Sequence, residues 1–510
     1  MYLLKPLTDG EVDALLRRLV DRFGVERVLT EPEDIYVYSH MGVFGVEETE
    51  PPIAVLRLDA SETRSLKSLI DRVAQAVGPS QGDAEPSPLP TIVVDQREPT
   101  SLVDLERGLA EVTQSRTELR RQSKESKSVA VQASSHLQSM EGYRLGERMA
   151  DGSGFCVVQR FMGGQETFSS KGRLLLSRGL SRGELGVTPR LVEAMYSCTA
   201  CGQCYDQHSP GTLEINNAII KSRNLVAEQG MAPKLCGRLL DNLEEEGNPM
   251  GMPGEDRSLW YAETAEEHRY RGNDVLYWPG CTTSYRLPEL VEATAEVLGA
   301  AGVDFGVLGD EEPCCGLILY LMGFWDEARG NAARVLETLS AGSPRVLVTS
   351  CAGCFYAFKR VYPHLGVTLP MRVMHSSTLF DALIREGRLP LREMKGDYMW
   401  HDPCDLGRHC HVYEPPRRVL RAVPGLRLVE PGLNREHAVC CGAGGGLWSY
   451  NERLTEDVAR QKVEEAIPRV DGVVTGCPTC LLNLRGAARE TRPRLGVYDL
   501  SEFMLRCIGN

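Results

Sequence analysis

The 510-residue sequence predicts an α/β protein made of two tandem, duplicated cysteine-rich units, preceded by a helical segment with its own cysteine motif and a small N-terminal α/β segment. Three observations carry this prediction. A chain of this length exceeds what one hydrophobic core usually organises, so several domains are expected. Five cysteines recur: Cys281, Cys314, Cys315, Cys351 and Cys354 are matched by Cys404, Cys440, Cys441, Cys477 and Cys480, offset by 123 residues at the first position and by 126 at the other four. In each copy an apolar, β-branched run, VLVTSC at 346–351 and GVVTGC at 472–477, ends at the first cysteine of a C-x-x-C, so the repeat is a structural unit and not a scattered motif. The expected boundaries are 1–78, 79–145, 146–272, 273–395 and 396–510.

The elements follow in chain order. An amphipathic helix is expected over Asp9 to Phe23, a strand over Ile53 to Leu58, and a helix from Ser61 as N-cap. The Pro-, Gly- and Asp-rich stretch Pro79 to Thr100 reads as a linker. Leu102 to Lys127 is charged and helix-prone and Ser123 to Ser139 is polar, leaving a long exposed helix and partial disorder as alternatives. In both repeats the C-x-x-C is expected to follow a strand and open a helix, where free backbone N–H groups and the helix dipole favour thiolate.

Composition narrows the function classes. With 42% hydrophobic and 25% charged residues, the chain has the make-up of an ordinary folded protein. A net charge of −13 argues against a nucleic-acid partner, which needs a basic surface. No run approaches the roughly 20 apolar residues of a transmembrane helix, and the N-terminus lacks the basic-then-apolar order of a signal peptide. The expected location is the cytoplasm, with any membrane association peripheral and through partners. Seventeen cysteines in such a chain point to metal or redox chemistry instead of a disulfide scaffold.

Five thiols per repeat are too many for a dithiol and one too many for a tetrahedral zinc site, whose pairs lie closer in sequence. Soft thiolates in this number suit iron and sulfide, with zinc and metal-free thiol redox as the alternatives. The pattern of a cysteine, then Cys-Cys-Gly, then C-x-x-C, present twice and complete, resembles the CCG-domain proteins, among them the heterodisulfide reductases and the iron–sulfur subunits of glycolate and lactate oxidases. His401-Asp402-Pro403 before Cys404 and the run VMHSSTL at 373–379 are similar to the family's local context. The resemblance implies a noncubane [4Fe-4S] cluster at each set, with Cys281, Cys314, Cys315, Cys351, Cys354, Cys404, Cys440, Cys441, Cys477 and Cys480 as ligands and catalytic residues.

Upstream, Cys198-x-x-Cys201-x-x-Cys204 followed by His208-Ser209-Pro210 resembles a ferredoxin motif with histidine in the fourth place. Two-cluster ferredoxins cross their ligands, so His208 reads as the trace of a lost neighbouring cluster, with His208 as the fourth ligand of this one as the alternative. In the related oxidase subunits the remaining ligand precedes a short Ser-Pro-Arg-Gly-Arg element, and here Cys156 precedes SSKGR at 169–173. The resemblance thus implies one cubane [4Fe-4S] cluster on Cys156, Cys198, Cys201 and Cys204. Cys236, Cys410 and Cys507 are expected to be small buried apolar residues. Cys410 with His409 and His411, and His375 and His401, are candidates for facing a cluster and supplying protons. The glycines of Gly442-Ala443-Gly444-Gly445-Gly446 fail the dinucleotide pattern, since Leu447 stands where a glycine is needed, and read as close backbone approach to a cluster. Trp278 and Trp448 read as core.

Val28 to Gly42 and the strand and helix to about Gln75 resemble the opening of the FAD domain of glycolate and lactate oxidases, without its Gly-rich pyrophosphate loop. No FAD is therefore expected on this chain alone, and the segment reads as a docking surface for a flavoprotein. Taken together, the resemblances imply an oxidoreductase subunit of a complex, taking electrons from a flavoprotein or a haem membrane subunit for disulfide/thiol chemistry. The alternative is a relay subunit of an FAD-linked 2-hydroxy-acid dehydrogenase.

Overall fold

The computed structural model describes residues 16–17, 19–21, 28–29, 31–40, 54–58, 91–96, 130–134, 156–204 and 213–508. The chain divides into two compact units, Met1–Gly186 and Val187–Asn510, and each is taken by itself.

In the first unit β1 (Val28–Leu29), β2 (Ala54–Leu58), β3 (Thr91–Gln96) and β4 (Ala130–Ser134) form one sheet in the order β1-β2-β3-β4. β1 runs antiparallel to β2, and the other pairs are parallel. β2 coincides with the expected strand. β3 lies inside the stretch read as a linker, and β4 inside the polar stretch after it: the Thr-Ile-Val-Val of β3 favours extended backbone over the Pro and Gly signals around it. The expected helices from Ser61 and over Leu102 to Lys127 fall outside the described residues, as does most of Asp9 to Phe23. The helix Pro32–His40 starts with proline and two acids, Glu33 and Asp34, in its first turn, a composition matched to free N–H groups and the helix dipole. Asp34 accepts a hydrogen bond from Thr167, and Ser169 caps the helix Ser170–Ser181 by accepting from Gly172 N at 2.9 Å.

The second unit opens with the helix Pro189–Tyr196, capped by Thr188 with proline at its first position, and continues through the helices Leu213–Glu228 and Lys234–Glu246. Two parallel sheets follow. β5 (Val275–Trp278), β6 (Phe305–Gly306), β7 (Val346–Thr349) and β8 (Arg372–His375) take the order β6-β5-β7-β8. β9 (Gly396–Trp400), β10 (Leu426–Leu428), β11 (Gly472–Thr475) and β12 (Gly496–Asp499) repeat it as β10-β9-β11-β12. Strands covered on both faces read as continuous apolar runs, which is why Leu276, Tyr277, Leu347, Val348, Met399, Trp400, Val473 and Val474 are all buried.

The repeats pack reciprocally. The helix Ser376–Arg385 that ends the first lies against Glu414–Ala422 of the second, with Arg418 on Asp381. The helix Leu500–Cys507 that ends the second lies against Glu289–Ala300 of the first, with Thr294 Oγ1 2.8 Å from Ser501 Oγ. One apolar core runs through both sheets, so the duplication behaves as an internal dimer with an isologous interface.

Candidate metal centres

Parallel sheets present their functional groups at the carboxyl ends of their strands. Cys281 and Cys351 follow the adjacent central strands β5 and β7, and Cys404 and Cys477 follow β9 and β11. Cys351 is the N-cap of the helix Ala352–Tyr356, its sulfur accepting from Cys354 N at 3.4 Å, and Cys477 caps Pro478–Thr491 with proline at the first position. The expected strand, cysteine, helix order is therefore present in both repeats. The Cys-Cys pairs arrive on loops whose following glycines have positive φ, +71° at Gly316 and +94° at Gly442. A β-carbon at Gly442 would sit 2.9 Å from Thr455 O and from Val458, and one at Gly316 would run into Asn331.

All ten thiols of the two sets are buried. Cys281 and Cys314 Sγ are 3.8 Å apart and Cys441 and Cys480 Sγ 3.2 Å. These separations are far beyond a disulfide bond of ~2.05 Å. They are close to the ~3.8 Å edge of a tetrahedron with metal–sulfur bonds of ~2.3 Å. In both sets the second cysteine of the adjacent pair accepts. Hydrogen bonds from Cys314 and Cys354 bring Cys315 down to about 6, and those from Cys440 and Cys480 hold Cys441 well below the usual thiol range. In the second set Cys440 accepts as well, from Cys201 and Cys404, and is also lowered. Hydrogen bonding to those acceptors and burial push Cys354 and Cys480 well up. A buried thiol cluster that favours loss of a proton fits a thiophilic metal group, because ligands must shed protons as metal enters.

Both sets open on one cavity of about 280 Å³. Its wall includes Cys281, Cys314, Cys315, Cys351 and Cys354 from the first set and Cys404, Cys441, Cys477 and Cys480 from the second. Leu317, Ile318, Leu321, Met250 and Trp448 supply apolar lining, and Asp405 a carboxyl that burial raises to about 6.

The upstream motif meets the second set. Cys201 hydrogen-bonds with Cys440, and that bond, with burial, holds Cys201 well above its ordinary value. His409 Nε2 lies 3.0 Å from Ala200 O, and Arg408 donates to Cys201 O at 2.7 Å and Ala438 O at 2.6 Å. The glycine run is explained here: a β-carbon at Gly444 would lie 2.9 Å from Thr199 O, and one at Gly445 would clash with the same residue. The close approach is to the backbone of the Cys198–Cys204 loop, not to a cluster alone. Cys156 belongs to the first unit, where Arg173 of the SSKGR element donates to its sulfur at 3.4 Å. His208 lies outside the described residues.

Of the remaining candidates, Cys236 and Cys507 are fully buried beside Met322 and Met394 sulfurs, as expected of apolar fillers. Cys410 is half-buried, and burial raises it to about 12. His409 stacks on Tyr356 and serves the upstream loop, while His411 is exposed. His375 has both ring nitrogens engaged, Nδ1 with Ser377 Oγ at 2.8 Å and Nε2 with Gly476 O of the other repeat at 2.9 Å, so it is a strut between repeats. Only His401, among these histidines, has ring nitrogens grouped with cysteine sulfurs, those of Cys441 and Cys480. Three features were not singled out from the sequence. Arg223, fully buried, donates to Leu321 O, Gly445 O, Cys198 O and Met195 O at 2.6 to 3.0 Å, tying the upstream loop to both repeats. The buried pair Arg257–Glu312 lies behind the first set, with Glu312 accepting from Gly280 N at 3.0 Å. Lys462 lies behind the second set, donating to Val439 O. An isolated Arg or Lys in a helical pattern reads as a solvated face, so no local signal marks them.

Residues 275–359 and 398–485 both match the CCG cysteine-rich domain family. A subunit of the dihydromethanophenazine:CoB–CoM heterodisulfide reductase of Methanosarcina acetivorans is 32% identical over 62% of this chain and 78% of its own length. FadF of Bacillus subtilis, a probable iron–sulfur-binding oxidoreductase, is 30% identical, and the EtfAB:quinone oxidoreductase of Syntrophomonas wolfei 29%; the match spans 62% of this chain and 47% of each of those proteins. The chain is an oxidoreductase subunit of the iron–sulfur class. It belongs to the CCG-domain family, in which the heterodisulfide reductase polypeptide of Methanosarcina is also found. Solved structures align only weakly, aspartate racemase of Picrophilus torridus at a TM-score of 0.24 and 9% identity over 45% of this chain and 89% of the racemase. Among the described residues no helix is long and apolar enough to cross a membrane.

Proposed function

We propose that this chain is the catalytic iron–sulfur subunit of a disulfide reductase, taking electrons from a flavoprotein or membrane partner. One cubane [4Fe-4S] cluster, on Cys156, Cys198, Cys201 and Cys204, would receive them, and two noncubane [4Fe-4S] clusters on the two five-cysteine sets would use them. The observation that carries this reading is that cysteines of both sets wall one cavity, so the two clusters would face a common space. A relay needs only edge-to-edge proximity, whereas two clusters facing one space could each take one sulfur of a disulfide.

The clusters, when bound, supply single-electron redox at iron that can also hold sulfur. The protein's own groups do the rest. Leu317, Ile318 and Leu321 exclude water around the S–S bond, and the Cys201–Cys440 contact supports electron entry through the second set. The overall reaction is RS–SR′ plus two electrons and two protons giving RSH and R′SH, with the partner oxidised by two electrons. Asp405, lining the cavity, is placed to hold one of those protons. The relay reading, as part of an FAD-linked 2-hydroxy-acid dehydrogenase, draws its support from the N-terminal resemblance and the Arg173–Cys156 contact.

Anaerobic preparation of the full chain is expected to yield about twelve iron atoms with matching sulfide, and Cys315→Ser or Cys441→Ser to lose roughly four. The reduced complex is expected to cleave a mixed disulfide and to lose that activity with either variant. Oxidation of glycolate or lactate with no disulfide turnover would replace this reading with the relay.

A further inference from the structure

His401 closes β9's extension three residues before Cys404, and it is about 1% exposed. Neither ring nitrogen has a hydrogen-bond partner. A buried imidazole with both nitrogens unmatched is rare in a folded protein and calls for a specific explanation. The explanation lies alongside it: one ring nitrogen, Cys441 Sγ and Cys480 Sγ all fall within 4.8 Å of one another, the spread of donor atoms around a single metal centre.

We propose that His401 is a sixth protein donor at the second set, its bare ring nitrogen ligating an iron atom of the cluster that Cys441 and Cys480 help to hold. This rests on the proposed iron–sulfur function and adds a ligand outside the five-cysteine pattern. The first repeat has no such donor at the matching position. Three residues before Cys281 stands Trp278, whose indole can donate but cannot ligate, and whose own Nε1 is also buried without a partner.

The test uses the anaerobically prepared full chain grown with ¹⁵N-histidine, the noncubane signals being examined by pulsed electron paramagnetic resonance. One strongly coupled nitrogen that changes isotope with the label is expected, belonging to one of the two signals and absent in His401→Gln. His375→Gln should retain it. Weak couplings only, a strong coupling insensitive to the histidine label, or one that survives in His401→Gln would each overturn the assignment while leaving the cluster count intact. Should His401→Gln fail to fold, His401→Trp, which copies the first repeat, carries the same expectation. An iron content near eight with the second set empty would overturn this assignment and the proposed function together, which separates the two failures.

Discussion

The two repeats share five cysteines, a strand order and a cavity, yet what stands behind the sulfurs differs in charge. Trp278, Tyr285 and Leu336 of the first repeat occupy the positions of His401, Arg408 and Lys462 in the second, at the offsets of the neighbouring cysteines. Behind the first set the only buried charges described close to the sulfurs are Arg257 and Glu312, which cancel. Behind the second, Arg408 and Lys462 donate to backbone carbonyls and lie close enough to act on Cys404, Cys440, Cys441 and Cys480, against one carboxyl, Asp405, on Cys404. Duplication kept the cysteine frame and let the charges around it diverge. On the proposed function, an electron leaving the Cys198–Cys204 loop would reach the second set first, which lies next to Cys201 and whose neighbouring cations favour the more negative, reduced state.

The strongest way to break this comparison is to separate the halves. Arg223 bonds to Leu321 O of one repeat and Gly445 O of the other, and also to Cys198 O. Arg223→Met would leave these buried carbonyls unmatched, at about 1–3 kcal/mol each. Chemical unfolding of the anaerobic protein should show a loss of about 3 kcal/mol or more, and iron at the Cys198–Cys204 loop should be reduced. Arg223→Lys should recover only part, because an ammonium cannot fork to four carbonyls. Unchanged stability would show that Arg223 is not needed to join the repeats.

A second contrast sits where the repeats end. His375 closes β8 and Asp499 closes β12, each capping the next helix by accepting from the residue two positions on, Ser377 N at 3.2 Å and Ser501 N at 2.8 Å. Burial moves them in opposite senses, His375 down to about 4 and Asp499 up to about 7. For His375 the unfolded chain gains a proton below its ordinary value near 6.5, so its contribution is complete above that and lost as pH falls toward about 4. For Asp499 the unfolded chain gives up its proton above its ordinary value near 3.8, so its contribution is complete below that and lost as pH rises toward about 7. Each effect is of order 1–3 kcal/mol. His375→Asn should flatten the acid limb of the stability profile and Asp499→Asn the limb between about pH 4 and 7. Identical slopes in both variants would mean that these two caps do not set the pH dependence.

The cysteine frame was legible because ligands of one group must keep their spacing, and two copies check one another. The strand ahead of each C-x-x-C and the fillers Cys236 and Cys507 followed from equally local rules. Arg223, Glu312 and Lys462 were not legible, since their partners are backbone carbonyls or residues tens to hundreds of positions away, and no spacing records such a bond. The glycines after Cys441 were read as close backbone approach, and the neighbour that the sequence did not name is Thr199, which faces Gly444 and Gly445 from more than 200 residues upstream. β3 shows the opposite error, where Pro and Gly outvoted four β-branched residues in a row.

The smallest effect tests the charge difference itself. Lys462 opens a π-helical turn, Lys462–Ala466, that bends its side chain inward to Val439 O, one residue ahead of the Cys440–Cys441 pair. Lys462→Met keeps the length and apolar stem while removing the charge, and relieves a buried ammonium whose pKa burial already lowers, so stability and iron content should hardly move. The reduction midpoint of the second set should fall, by less than the about 60 mV that marks a tenfold change for one electron. The first set should stay put. In the first repeat the double change Arg257→Met with Glu312→Gln removes a cancelling pair and should displace its midpoint less than Lys462→Met displaces the second. Equal shifts in both sets after Lys462→Met would mean that its field is not local, and the second repeat would lose its claim to the first electron.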